Sequence, residues 1–245
     1  MKKIFLLIIA LFLSIFIVNP SYAQQMSKYG YPTGNQNSSN TYGNWYLGVG
    51  VGYAHIIGLK SDINQLGNNL QTIDPDLSGS ISSTISTVGT NLDFGYSFNK
   101  FLSLQTGFDW LGNYKFKLNL DDTVHNFYIN ETVNAYIYTI PIKAVVSYPF
   151  NDGFAVFGAV GGDFWFVNES GSVSSNIPGV NGTASQNKTG IAPVYSIGIR
   201  LRPVKSAWGL KLEYNYFQNL FNSNQTIYKS HYNVEELALL GEYRF

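Results

Sequence analysis

Three histidines come first, because His beside a Ser or a carboxylate can drive acyl transfer. They are His55, His125 and His231. None has a nucleophile or base at a useful sequence spacing. His231 is followed by Tyr232 and Asn233, and Asp121-Asp122 has no His two residues on. No catalytic residue is therefore expected. No His, Asp and Glu share the spacing of a metal site. With no cysteine there is no thiolate ligand, disulfide or thiol nucleophile. Gly48-Val49-Gly50 starts like a phosphate-cradling loop, but Tyr53 stands where the third glycine is needed and no Lys-Ser/Thr follows. No cofactor is expected.

The remaining chemistry is ionic. Asp93, Asp109, Asp163, Glu213, Glu236 and Glu242 fall in the same strand-like segments as Lys115, Lys117, Lys143, Arg200, Arg202, Lys211, and Arg244. Each sits on the parity opposite to an apolar row. Such a set, enclosed together, must pair or be hydrated. What could enclose it is legible in the last stretch of the chain. Counting back by twos from the terminus gives Phe245, Tyr243, Gly241, Leu239 and Leu237, while Arg244, Glu242 and Glu236 take the other face. Period two means a strand with unlike faces.

Seven more segments repeat that alternation. They are 44–55, 84–98, 101–118, 132–148, 154–167, 189–202 and 207–217. In the first, Trp45, Leu47, Val49, Val51 and Tyr53 oppose Gly48, Gly50, Gly52 and Ala54, so glycines leave room in a narrow interior. In the third, Tyr114, Phe116 and Leu118 continue the outward row of Leu102, Leu104, Phe108 and Trp110. In the fourth, Pro141 predicts a bulge. The connections alternate, long after odd segments and short after even ones. Tight turns are expected at Asn99-Lys100 and Pro149–Gly153, and polar loops over 58–83, 119–130, 168–188 and 218–230. Inside the first loop, Ile63, Leu66, Leu70 and Ile73 recur at helical spacing behind Asp62, an N-cap, which predicts a short helix on the barrel mouth.

The chain has formal net charge +0, with 12% charged and 16% aromatic residues, where a soluble domain carries about 25% charged residues. A basic excess for nucleic acid is missing. Lys2-Lys3, an apolar run over 4–18, Asn19-Pro20 and Ser21-Tyr22-Ala23 read as a secretory signal peptide over 1–23, cleaved between Ala23 and Gln24. Residues 24–43 read as a flexible N-terminal tail and 44–245 as one domain. A soluble barrel would turn its apolar face inward, whereas a membrane barrel turns it to lipid and closes to satisfy its backbone. The fold expected is all-β, an eight-stranded antiparallel up-and-down transmembrane β-barrel.

The terminal row Leu237, Leu239, Gly241, Tyr243, Phe245 resembles the C-terminal assembly signal of bacterial outer-membrane barrels, with Gly241 its departure. The architecture resembles the small OmpA/OmpX-type outer-membrane β-barrel family over about 44–245. That resemblance implies a bacterial outer-membrane location, with the tail and C-terminus on the periplasmic side. It implies contact with outer-membrane lipid and lipopolysaccharide, passage through the barrel-assembly machinery, and a monomer. The interior of so small a barrel is filled by its own side chains, so the charged set is expected to form a plug of salt bridges and water without an open pore. Function then falls to four external loops, in a structural or adhesin-like role toward host surface molecules. The alternatives are a lipid A-modifying barrel enzyme and a narrow channel.

Overall fold

The computed structural model describes residues 45–73, 77–122, 124–203, 206–222 and 231–245. The signal peptide, its Ala23–Gln24 cleavage site, the tail and much of the last loop lie outside these. The described elements are β1 (Trp45–Ile57), α1 (Leu59–Ile73), β2 (Leu77–Thr84), β3 (Ser86–Ser97), β4 (Leu102–Asp122), β5 (Phe127–Asn151), β6 (Phe154–Ser175), β7 (Gly182–Leu201), β8 (Trp208–Asn222) and β9 (His231–Arg244).

All pairings are antiparallel. Following neighbours from β4 through β3, β1, β9, β8, β7, β6 and β5 leads back to β4, so the sheet closes into a ring of eight staves. The ninth strand adds no stave. β2 and β3 both pair with β4, β2 along Lys115–Asp122 and β3 along Ser103–Trp110, as one stave broken at Ile85. Closure satisfies the backbone polar groups that lipid cannot.

The outside of the ring is apolar. Val49, Val51, Val88, Leu104, Val160, Leu210, Leu237 and Leu239 are all exposed. Ile191, at 71% exposure, would be a costly misplacement facing water in such company. Aromatic rings gather near the end that carries the short turns. Trp45 stacks on Phe94 at 5.0 Å, Phe150 on Phe154 at 5.5 Å, and Tyr243 lies against Trp208 and Phe245. Such girdles mark the membrane interface of outer-membrane barrels. The turns between β3 and β4 and between β5 and β6 are short. In the first, Asn99 Oδ1 accepts from the N–H of Phe101 and Leu102.

Four expectations need correction. First, polar stretches read as loops are largely strand. β4 runs to Asp122 and β5 starts at Phe127, while β6 runs to Ser175 and β7 starts at Gly182. Cross-strand pairing overrides the turn preference of the Ser, Thr and Asn residues there. β4 to β7 are therefore 20–25 residues long, against the roughly 9–11 needed to cross a bilayer.

Second, the inward row of β4 changes parity. Trp110 opposes Tyr138 but Gly112 opposes Ile137, leaving Leu111 as an extra residue. A one-residue slip sends every later side chain to the other face. Tyr114 and Leu118 are consequently buried, and Lys115 and Lys117, expected in the interior, stand exposed on the outer face. The slip needs a residue at φ +99° whose Cβ would collide with the Thr87 side chain, and Gly112 supplies it. Gly112→Ala is expected to cost roughly 1–3 kcal/mol, read as a lower urea midpoint of the refolded barrel.

Third, Pro141 causes no bulge. Thr106 opposes Ile142 and Asp109 opposes Thr139, one register on both sides of it. Fourth, Asp62 is not the N-cap. α1 begins at Leu59, and the Gly58 carbonyl accepts from Ser61 and Asp62. Asp62 instead accepts from the Tyr232 hydroxyl at 3.0 Å, tying the first turn of α1 to β9. Ile63 is buried and Leu59 packs on the core, so α1 starts on the barrel mouth.

Candidate functional sites in the lumen and at the rim

The interior is layered. Nearest the short turns, Glu242 gathers three arginines: Arg200 Nε at 2.9 Å, Arg202 at 2.8 Å and Arg244 Nε at 3.8 Å. The Arg200 guanidinium lies 5.2 Å from the rings of both Tyr46 and Phe157, a cation–π sandwich. The next layer is a charge chain. Glu213 bridges Lys143 at 2.6 Å and Lys211 at 2.7 Å, and Lys211 also holds Asp93. Lys143 is further fixed by Asn215 Oδ1 at 3.2 Å and Ser196 Oγ at 3.4 Å. Above it, Asn91 Nδ2 donates to Asp109 at 3.0 Å and to Glu236 at 2.9 Å, while Asn215 Nδ2 donates to the other Glu236 oxygen at 3.0 Å. Asp163 is buried on β6, opposite Pro141 and Ala192. The structure thus puts all of Asp93, Asp109, Lys143, Asp163, Arg200, Arg202, Lys211, Glu213, Glu236, Glu242 and Arg244 on the barrel's inner side.

Glycines make this arrangement fit. A Cβ at Gly95 would strike the Tyr46 ring, one at Gly198 the Phe157 ring, and one at Gly52 the Glu236 carboxylate. Large inner side chains lie across the bare strand opposite, as tight interiors demand.

Above the ionic layers the lumen is apolar, which the charge pattern did not suggest. Ala54, Ile56, Leu111, Tyr114, Ile137, Trp165, Val167, Ala192, Val194, Phe217, Leu220 and Val234 form one buried cluster reaching across seven of the eight staves. The expected plug of ion pairs and water is therefore only its lower half. The signal was present in the sequence as inward Val167, Ala192, Val194, Phe217 and Val234.

The terminal row faces outward. Leu237, Leu239 and Phe245 are exposed, and Tyr243 joins the aromatic girdle. Gly241 on β9 lies between Val49 of β1 and Leu210 of β8.

The histidines separate. His125 Nδ1 lies 2.7 Å from Asp122 Oδ2, and Asp122 Oδ1 accepts from the N–H of Val124 and His125. The His125 amide, foremost, holds the Asp122 carboxyl below its ordinary range. A depressed carboxylate stabilises above its unfolded value of about 3.9 and stops doing so as pH falls through its folded value. The hairpin tip should thus open in acid, with amide exchange at Val124 and His125 accelerating below about pH 4.

His55 is the surprise. Its Nδ1 lies 2.7 Å from Ser86 Oγ. The two are directly opposed on β1 and β3, and on the other flank of β1 His55 opposes Glu235 of β9. A Ser, a His and a Glu thus stand in one row at the rim. The pair is 31 residues apart in sequence, so a search for adjacent motifs misses it. Glu235 accepts from the Tyr214 hydroxyl at 2.8 Å. His231 begins β9, opposite Asn222. Among the described residues no group of three His, Asp or Glu could hold a metal ion.

A closed antiparallel ring, apolar and aromatic outside with ion pairs inside, defines an outer-membrane β-barrel. The chain matches the OmpA-like transmembrane domain over residues 40–245. It belongs to that family. Curated relatives include outer membrane protein A of Yersinia pseudotuberculosis, 23% identical over 176 residues, and that of Salmonella typhi, 24% identical over 180. These alignments cover 72% and 74% of this chain but only 42% and 43% of the relatives, so the chain spans less than half their length. Similar solved structures include Ail, the attachment invasion locus protein of Yersinia pestis, with 15% identity and TM-score 0.45 over 84% of this chain and 100% of that one. Neisserial surface protein A has 13% identity and TM-score 0.46 over 82% and 97%.

Proposed function

We propose that the protein is a monomeric outer-membrane anchor that presents a rigid β-wall for contact with external surfaces, an adhesin-like role. One observation carries this: β4 to β7 continue about ten residues per strand past the lipid-facing band. Beyond the apolar belt these strands, with β2 on their edge, form a continuous sheet. In this reading the long segments are external and the short turns periplasmic, the usual arrangement of outer-membrane barrels, which puts both termini in the periplasm. The row ending at Phe245 serves the barrel-assembly machinery during insertion. The apolar cluster keeps the lumen shut, so no stable channel is expected in planar bilayers.

The test trims the wall. Replacing 115–132 and 170–186 with tight turns should leave a heat-modifiable barrel and abolish adhesion of expressing cells to a cultured epithelial monolayer. Trimmed cells that adhere like the parent would sink the reading.

A second reading rests on the His55–Ser86 pair with Glu235 alongside. It would make the rim an acyl hydrolase of outer-leaflet lipid, with Ser86 attacking the ester and His55 taking its proton. It ranks second because the hydrogen bond made by Glu235 goes to Tyr214, leaving His55 without its orienting acid. Incubation of the refolded protein with lipid A decides it. An unchanged lipid mass, identical with Ser86→Ala, removes the enzyme.

A further inference from the structure

The middle of the lumen sets a lysine, an amide, a hydroxyl and two carboxylates in an order that ion pairing does not explain. Strand register brings three of them together. Asn215 on β8 lies directly opposite Ser196 on β7 and Glu236 on β9. Lys143 reaches the group from β5, on the far side of β6 and β7. Glu213 stands two residues before Asn215 on the same face of β8, and all five side chains are buried. Lys143 Nζ lies 3.2 Å from Asn215 Oδ1. A C=O bond is about 1.23 Å long, so Nζ lies within about 4.4 Å of the amide carbon.

The contacts around that amide are those of acyl transfer. Ser196 Oγ donates to Asn215 Oδ1 at 2.6 Å, the oxygen on which charge builds when an amine attacks. Asn215 Nδ2, the nitrogen that would leave, donates to Glu236 Oε2 at 3.0 Å. Lys143 Nζ donates to Glu213 Oε1 at 2.6 Å, which gives its proton a place to go. A salt bridge calls for neither the hydroxyl on the carbonyl oxygen nor the carboxylate on the amide nitrogen. Val194 and Phe217, the next inward residues beyond Ser196 and Asn215, are fully buried and keep out water, the competing nucleophile.

We propose that Lys143 and Asn215 join in an intramolecular isopeptide bond, formed once per molecule after folding. The ion pair is the state of the newly folded chain. Burial penalises separated charges, so one Nζ proton can pass to Glu213 and leave a neutral amine, the nucleophilic form of lysine. That neutral pair need only be a minor state, because the reaction runs once and its product persists after ammonia departs. The Nζ lone pair attacks Cγ, a C–N bond forms, and Oδ1 takes the carbonyl electron pair against the Ser196 hydroxyl. A second Nζ proton passes through Glu236 to Nδ2. The Cγ–Nδ2 bond then breaks, the carbonyl re-forms and ammonia leaves. Nζ has lost two protons, of which Glu213 holds one and ammonia the other. The bond braces β5 against β8 across the lumen, a covalent staple in a chain with no cysteine. It is independent of the adhesin role.

The experiment uses the full mature chain, extracted folded from outer membranes into detergent. Boiled samples are digested and mapped by tandem mass spectrometry. Wild type should give a branched peptide linking Lys143 to Asn215, lighter than its two parts by about 17 Da, one ammonia. Peptides are read rather than the intact chain, because Gln24 at a mature N-terminus would shed the same mass on cyclising. Before digestion, boiled wild type should migrate faster than boiled K143R, which keeps a cation but has no internal cross-link. E236Q keeps an acceptor for Nδ2 but cannot relay a proton. In samples refolded into micelles its branched peptide should build up roughly a hundredfold more slowly than in wild type. Recovery of Lys143 and Asn215 only in separate, unmodified peptides of folded wild type overturns the proposal, whatever the variants do. Bond formation in E236Q at the wild-type rate overturns the route through Glu236.

Discussion

Glu213→Leu should destabilise the barrel by about 3–5 kcal/mol, the cost of breaking a buried ion pair from one side. Glu213 is the hinge of the charge chain, with one oxygen on Lys143 and the other on Lys211. Leucine leaves Lys211 with Asp93 but leaves Lys143 with only the neutral oxygens of Asn215 and Ser196. The loss should appear as a lower urea midpoint for the reversible transition in vesicles, followed by tryptophan fluorescence. The partner substitution isolates the cause. In E213L/K143M no ammonium is stranded, so the double variant should recover much of the loss despite removing more polar contacts. If E213L lies within about 1 kcal/mol of wild type, water already solvates this layer and the pairs are incidental.

Phe217→Ala should cost a similar 3–5 kcal/mol for a different reason. Phe217 is fully buried in the apolar cluster, between Val194 and Val234 on the adjoining strands. Its removal opens a cavity that a closed ring of strands cannot collapse to fill. The variant should nevertheless stay electrically silent in planar bilayers. Leu111, Ile137, Trp165 and Leu220 remain in the same buried apolar cluster, and apolar cavities stay dry. A large, stable conductance in F217A would show that this one ring is the whole barrier. A stability within 1 kcal/mol of wild type would show that the cluster is loosely packed.

The sequence was most readable where side-chain parity runs unbroken. β1, β9 and the part of β7 from Thr189 onward follow the period-two rule, so their lipid-facing and lumen-facing rows could be written down from residue types. The rule failed past Leu111 because a single inserted residue is invisible to composition. Gly112 was the clue, a glycine inside an amphipathic run. Strand lengths were underestimated because Ser, Thr and Asn carry loop statistics, whereas their actual conformation is set by the strand they pair with. The ionic layers were legible as a set but not as a stack. Which acid meets which base depends on the stagger between strands, as Lys211 and Asp93 show at a sequence separation of 118. His55 and Ser86 were hidden for the same reason.

The bare glycine stretch on the inner face of β1 also bears on how the molecule is put together. β1 and β9 are partners from opposite ends of the chain, the pairing of greatest sequence separation, and such pairings form late because chain-closure entropy opposes them. This seam is where the cylinder zips shut. Gly48, Gly50 and Gly52 contribute no side chains along it, so Glu236 and Leu240 swing into place against a smooth surface rather than threading between two toothed ones.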